Sequence, residues 1–175
     1  AVFHGLEPKD GSGEKNIGCY GEGYRCLFSL TEGGPVLLTY DGKEYITRTP
    51  RVTYWRATTD NDRGRGDLYR CCPWLAATLC QRYTGEYRVD KLEDSVRLTF
   101  IWEVPGEKSW GHEISWQVFG DGSIVTRVSY PGVEGLEDMP ALGMEFKFRK
   151  KLNRFRYYGL GPEENYCDRR AGTKL

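Results

Sequence analysis

The chain has 175 residues, with 25 basic side chains balanced by 25 acidic ones. A chain of that length folds as one domain and buries roughly 70% of its unfolded surface, so it needs no covalent staples. Zero net charge argues against a dedicated nucleic-acid or membrane-surface binder, and no apolar run approaches the roughly 20 residues that cross a bilayer.

Aromatic residues are 14% of the chain, with five Trp and twelve Tyr. They suit sheet faces and also sugar stacking. The start, Ala1-Val2-Phe3-His4, has neither an initiating Met nor the charged and apolar regions of a signal peptide. Gly172-Thr173-Lys174-Leu175 ends without a closing element. Both ends look cut, and the expectation is a piece of a longer protein. The six cysteines (19, 26, 71, 72, 80 and 167) contain no C-x-x-C pair, and only His4 and His112 could join them. A zinc site is disfavoured, and buried, reduced thiols in a cytosolic protein are expected.

Residues 1–18 are rich in Gly, Lys and Asp and read as an irregular lead-in, or else as an entry strand and loop. From Tyr24 the alternation begins, with Tyr24, Cys26, Phe28 and Leu30 on one face and Arg25 and Ser29 on the other. Glu32-Gly33-Gly34-Pro35 is a turn. Val36 to Tyr40 is a strand, and Asp41-Gly42 predicts a hairpin into Glu44-Tyr45-Ile46. Thr49-Pro50 interrupts, and a strand resumes from Val52 to Trp55. Asp60 to Gly66 reads as a polar loop. Pro73 opens the one helical candidate, with Leu75, Leu79 and Tyr83 on one face and an end near Gly85.

Strands follow. Tyr87 and Val89 lead to a turn at Glu93-Asp94-Ser95. Val96, Leu98, Phe100, Trp102 and Val104 alternate without interruption, as do Ile114, Trp116 and Val118. Gly120-Asp121-Gly122 returns the chain into Ile124 to Tyr130. Leu142, Met144, Phe146 and Phe148 alternate with polar residues, and Arg156 to Tyr158 is a last short strand. Successive hairpins with one polar face predict a mainly β protein. The fold class is an antiparallel β-sandwich with one short helix, in a single partial domain over 1–175.

Several clusters could carry chemistry. Lys147, Arg149, Lys150, Lys151, Arg154 and Arg156 alternate with aromatics. Cations and rings together could bind single-stranded nucleic acid, yet Lys147 and Arg149 sit on a polar strand face, which favours a solvated surface. His112 beside Glu113 could form an acid–base pair or simply start a strand. Trp55, Arg56, Asp60, Asn61, Asp62 and Gly64 place a ring, a cation, two carboxylates and an amide close together. Asp60-Asn61-Asp62 could bond its own backbone as a turn, meet polyol hydroxyls beside Trp55, or bind a cation. Glu163 and Glu164 are neighbours and would face opposite ways on a strand, a poor catalytic pair.

Two of these stretches resemble one family. Trp55-Arg56-Ala57-Thr58-Thr59-Asp60-Asn61-Asp62-Arg63-Gly64 resembles the W-R-A-P-x-D-N-D-x-G motif of bacterial family 2 β-galactosidases. Tyr158-Gly159-Leu160-Gly161-Pro162-Glu163-Glu164-Asn165-Tyr166, then Asp168-Arg169, resembles their G-x-G-P-x-E-N-Y-x-D-R motif. Thr58 stands where the family has Pro, and Cys167 stands at a position that varies.

The resemblance covers nearly the whole chain and points to the family's C-terminal, small-chain domain. It implies a partial galactose mutarotase-like supersandwich. It also implies that the catalytic glutamates of a retaining β-galactosidase lie on a barrel absent from this chain, so no catalytic residue is expected here. The intact enzymes often use Mg and Na ions bound elsewhere, and no cofactor is expected in this piece. Expected partners are the remainder of the enzyme or its large subunit, and a β-galactoside in the intact enzyme, with neither nucleic acid nor membrane. The Trp55–Gly64 stretch becomes a candidate for the edge of the substrate cleft, with Gly64 allowing the loop to move. Gly161, Pro162, Glu164, Asn165, Tyr166, Asp168 and Arg169 become structural candidates. The alternative is a non-catalytic carbohydrate-binding or interaction module.

Overall fold

The computed structural model describes residues 16–106 and 110–160. In chain order the strands are β1 (Asn16–Gly21), β2 (Tyr24–Ser29), β3 (Gly34–Tyr40), β4 (Lys43–Glu44) and β5 (Arg51–Thr53). Three helices follow, α1 (Asp60–Gly64), α2 (Asp67–Arg70) and α3 (Cys72–Cys80). Then come β6 (Arg82–Lys91), β7 (Ser95–Val104), β8 (Trp110–Phe119), β9 (Ile124–Ser129) and β10 (Gly143–Glu145).

The strands form two four-stranded antiparallel sheets, β1-β2-β3-β4 and β6-β7-β8-β9, and a small sheet of β5 with β10. Alternation explains the second sheet. Val96, Leu98, Phe100, Trp102 and Val104 of β7 are buried, as are Ile114, Trp116 and Val118 of β8. Residues two apart share a face, so the inward face of β7 is apolar throughout and that of β8 is apolar except at His112. The first sheet contributes Cys19, Tyr24, Cys26 and Phe28 to the same core. Phe28 bridges the layers, its ring 6.3 Å from Phe100 and 6.4 Å from Trp116. Each such side chain contributes about 1.5–3 kcal/mol when fully buried.

Turn chemistry sets the registers. Asp41 (φ 48°) and Gly42 (φ 71°) are both left-handed, the backbone of a two-residue hairpin whose twist matches its strands. Gly122 (φ 86°) lies where a Cβ would come within 2.7 Å of the Tyr24 ring. The Tyr24 hydroxyl then donates to the Phe119 carbonyl at 3.1 Å, and the Tyr40 hydroxyl to that of Gly122 at 2.7 Å. These bonds tie the two sheets at one end.

The structure corrects several expectations. Strand β1 begins at Asn16, inside the stretch expected to be irregular. Ser29 is buried, not turned to water, because its hydroxyl accepts from the Thr31 and Glu32 amides in the turn. Three short helices replace one. The expected face of the helix is also wrong, since α3 buries Trp74 and Ala77 and leaves Leu79 71% exposed. The large Trp74 ring packs on Tyr54 and Trp110 and its Nε1–H donates to the Glu137 carbonyl at 2.8 Å, so it sets the rotation of the helix. Tyr83 lies on β6, against Phe100 and Trp102. Arg156 to Tyr158 forms no strand; it has no pairing partner among the described residues and is fully on the surface.

Candidate functional site

Strand β5 aims the polar motif outward from the core. Val52 and Tyr54 are buried, while Trp55 lies half-buried at the core's edge. Helix α3 holds this stretch in place. The Thr78 hydroxyl accepts from the Tyr54 amide at 2.9 Å, and Gln81 Nε2 donates to the Val52 carbonyl at 2.7 Å.

Asp60 to Gly66 was expected to be a loop, but it starts as helix α1 because Thr59 caps it. Thr59 Oγ1 accepts from the Asp62 amide at 3.3 Å, and Asp62 Oδ2 accepts from the Thr59 amide at 2.7 Å. This reciprocal box satisfies two amides that a helix start leaves without partners. Arg56 closes the arrangement. Its two terminal nitrogens donate to the two Asp62 carboxylate oxygens at 2.6 and 2.9 Å, a bidentate pair. Its Nε donates to the Pro140 carbonyl at 3.2 Å. Hydrogen bonding from Arg56, then from the Thr59 amide, holds the Asp62 carboxyl well below the usual carboxylate range.

The remaining predicted residues fall nearby in different roles. Asp60 pairs with Arg63 on the exposed side of α1, and Asn61 is exposed. Both carboxylates of the motif are therefore taken by arginines, and among the described residues no cluster has the make-up of a metal site. Gly64 is the last residue of α1, and a Cβ there would meet open space. The left-handed joint between α1 and α2 is Gly66 (φ 75°).

The motif and the segment 137–140 enclose a polar cleft of about 180 Å³. Trp55, Arg56 and Asp62 form one wall, and Arg70, Glu137 and Met139 line the other. Arg70 bridges Asp67 at 3.5 Å and Glu137 at 2.5 Å. Cys71 Sγ donates to the Asp138 carbonyl at 3.5 Å. Every guanidinium here has a carboxylate partner. The cleft thus offers a ring edge and alternating donors and acceptors, with each lining arginine paired and, among the described residues, Asp138 the one lining carboxylate outside an ion pair, a surface matched to polyol hydroxyls.

Asp67, Arg70, Glu137 and Asp138 were not foreseen. The Asp67–Arg70 spacing of three along a helix was readable. Glu137 was not, being 67 positions from Arg70. The second predicted cluster, Gly161, Pro162, Glu163, Glu164, Asn165, Tyr166, Asp168 and Arg169, lies outside the described residues, as does Cys167. Of the expected acid–base pair, His112 points into the core and Glu113 points outward on adjacent positions of β8, so they do not meet. Glu113 instead pairs with Arg88 at 2.7 Å. The basic run is on the surface, with Arg149 paired to Glu44.

Comparison with known proteins agrees with the two motifs. Residues 20–175 match the family profile described as beta galactosidase small chain. A β-galactosidase of Clostridium acetobutylicum is 47% identical over 163 residues, covering 93% of this chain and 18% of that protein. One from Lactobacillus delbrueckii subsp. bulgaricus is 38% identical, covering 91% of this chain and 16% of its own length. A β-galactosidase small subunit from Latilactobacillus sakei is 33% identical, over 91% of this chain and 56% of that subunit. The chain therefore spans under a fifth of the large relatives and somewhat over half of the small subunit. A profile match that takes in both motifs and all ten strands but the first residues of β1 leaves one conclusion: the chain belongs to the β-galactosidase small-chain family.

Proposed function

We propose that this chain is an accessory module of a β-galactosidase, and that the intact enzyme hydrolyses terminal β-D-galactosides with retention through glutamates on another part. The module walls the substrate cleft with the Trp55–Asp62 rim. The observation that carries this is the Arg56–Asp62–Thr59 clamp, which holds a ring and a polar cleft of about 180 Å³ at the molecule's edge. Preorganised polar groups beside a ring bind sugars with little ordering cost. Alone, the module is catalytically silent, a reading supported by the lack, among the described residues, of two carboxylates facing each other across the cleft free of arginine.

Its partner is the rest of the enzyme or a large subunit, docked through an apolar face. Leu142 and Phe148 are 56% and 52% exposed, next to a two-stranded sheet whose outer edges have no strand partner among the described residues. Such edges and faces associate readily, so the free module also self-associates through them. The five free cysteines among the described residues fit a reducing, cytoplasmic setting.

The test is complementation. A β-galactosidase lacking the region matched here is mixed with this chain, and nitrophenyl galactoside hydrolysis is followed. Restored activity, absent from either part alone and reduced by Arg56→Ala, is expected. Hydrolysis by the purified chain alone would sink the proposal. A second function, sugar binding without catalysis, is favoured by the polar, ring-edged character of the cleft. It predicts heat on titrating galactose into the isolated chain, lost in Trp55→Ala.

A further inference from the structure

The outer face of the β6–β9 sheet has a shape that an ordinary solvated face lacks. One row of register partners crosses all four strands: Arg88, Thr99, Ser115 and Arg127. Directly opposed residues share a face, so this row has an arginine at each end and two short hydroxyl side chains in the middle. Thr99 is only 5% exposed although it faces outward. The next row brings Arg97 opposite Asp90. Together these side chains border an open trough of about 260 Å³.

The charges in the trough are unequal. Arg88 is taken by Glu113 at 2.7 Å, and Arg97 donates to Gln117 Oε1 at 3.1 Å. Among the described residues Asp90 and Glu113 supply the only carboxylates lining it. Arg127 makes no ion pair among the described residues. Among the described residues Arg127 is thus the lining guanidinium with no hydrogen-bond or ion-pair partner, over a floor of hydroxyls, which donate to anions as readily as they accept.

We propose that this trough docks the carboxylate side chains of an acidic protein segment, anchored on Arg127. Dimensions favour a segment over a small anion. Strands lie about 4.8 Å apart, so the arginine Cα atoms at the two ends of the row are about 14 Å apart. One carboxylate cannot reach both ends. An extended segment with acidic residues two apart presents them about 7 Å apart on one face, so with one carboxylate on Arg127 the next falls over the Ser115 and Thr99 hydroxyls, which can donate to it. Nucleic acid is disfavoured because the trough has a single uncompensated cation and no ring for base stacking. The site is separate from the Trp55 cleft, with which it shares no lining residue.

Fluorescence anisotropy of labelled hexaglutamate, titrated with the full 175-residue chain, tests the proposal. Arg127→Ala is expected to weaken binding about tenfold or more, as loss of a charged hydrogen bond does. Arg63→Ala, which removes the same charge from helix α1, is expected to change it less than twofold. Ser115→Asp, which plants a carboxylate on the trough floor, is expected to abolish binding with an unchanged circular dichroism spectrum. The proposal is overturned by absent binding, or by equal losses in the Arg127 and Arg63 variants. It is also overturned if bound inorganic phosphate resists displacement by hexaglutamate, which marks a small-anion site, or if single-stranded DNA outcompetes the peptide.

Discussion

The sandwich core and the motif rim are held by different forces. Around Trp102 and His112 the core is apolar and aromatic, with His112 stacked 6.2 Å from Trp102 and bonded to the Tyr54 hydroxyl at 2.9 Å. On the rim, α1 and α2 bury no residue at all. Five of the ion pairs and one capping box hold them. Burial is cooperative and is not screened by salt, whereas exposed ion pairs each contribute little and weaken as salt rises. The rim should therefore open locally without unfolding the sandwich, which is what a cleft edge needs.

The largest effect expected is in the core. Trp102→Ala removes a ring that is 2% exposed and packed on Tyr83 and His112. It should lower unfolding stability by about 3–5 kcal/mol, read from urea melts. Arg63→Ala on the rim should change it by less than about 0.5 kcal/mol. Comparable losses from both would break the contrast.

Next comes pH. Burial lowers the His112 pKa from 6.5 to about 4. The unfolded chain then binds a proton that the folded chain refuses, so folding loses stability as pH falls from about 6.5 toward 4 and loses no more from this group below that. The full contribution is roughly 3 kcal/mol at neutral pH relative to pH 4, at about 1.4 kcal/mol per unit. His112→Phe should flatten this part of the stability curve. An unchanged slope in that variant would place the acid sensitivity elsewhere.

The core was readable from sequence because its forces follow the chain. In β7 every second residue is apolar, in β8 every second one but His112, and the Asp41-Gly42 pair encodes its own turn. Strand β1 was hidden because Gly18 and Gly21 carry no strand preference, and only pairing with β2 fixes them. The rim was half readable. Arg56 and Asp62 stood out as a motif, and Thr59 followed by Asp62 was a helix-start signal that the polar composition masked. Glu137 and Pro140 could not be read, since tertiary folding alone brings them to Arg70 and Arg56. The alternating Phe146 and Phe148 were readable as strand-like, but both remain 37% or more exposed. Periodicity reports which face is apolar, not whether this chain covers it.

Within the rim the cap should outweigh the ion pairs. Thr59→Ala should cost about 1 kcal/mol of local stability, seen as faster amide exchange over 60–63 with the urea midpoint nearly unmoved. Asp62→Asn weakens the Arg56 bond and the box together. At low salt it should speed the same amides more than Thr59→Ala does, and that excess should shrink as salt rises, because only the Arg56 interaction it removes is ionic. If the midpoint moved in step with local exchange, the rim and sandwich would be one cooperative unit.

The smallest effect separates two glycines only two positions apart. Gly66 has φ 75°, a conformation that costs a residue with a Cβ roughly 1 kcal/mol. Gly64 sits in helix α1 with open space beside it, so alanine there should add about 0.5–1 kcal/mol of local stability. Gly66→Ala should accelerate amide exchange across the α1–α2 joint, and Gly64→Ala should slow it. This order assigns the bending of the rim to Gly66, the residue beyond the motif, and makes Gly64 a helix terminus. The reverse order of exchange rates would return the hinge to Gly64 and mean that α1 unwinds when the rim moves.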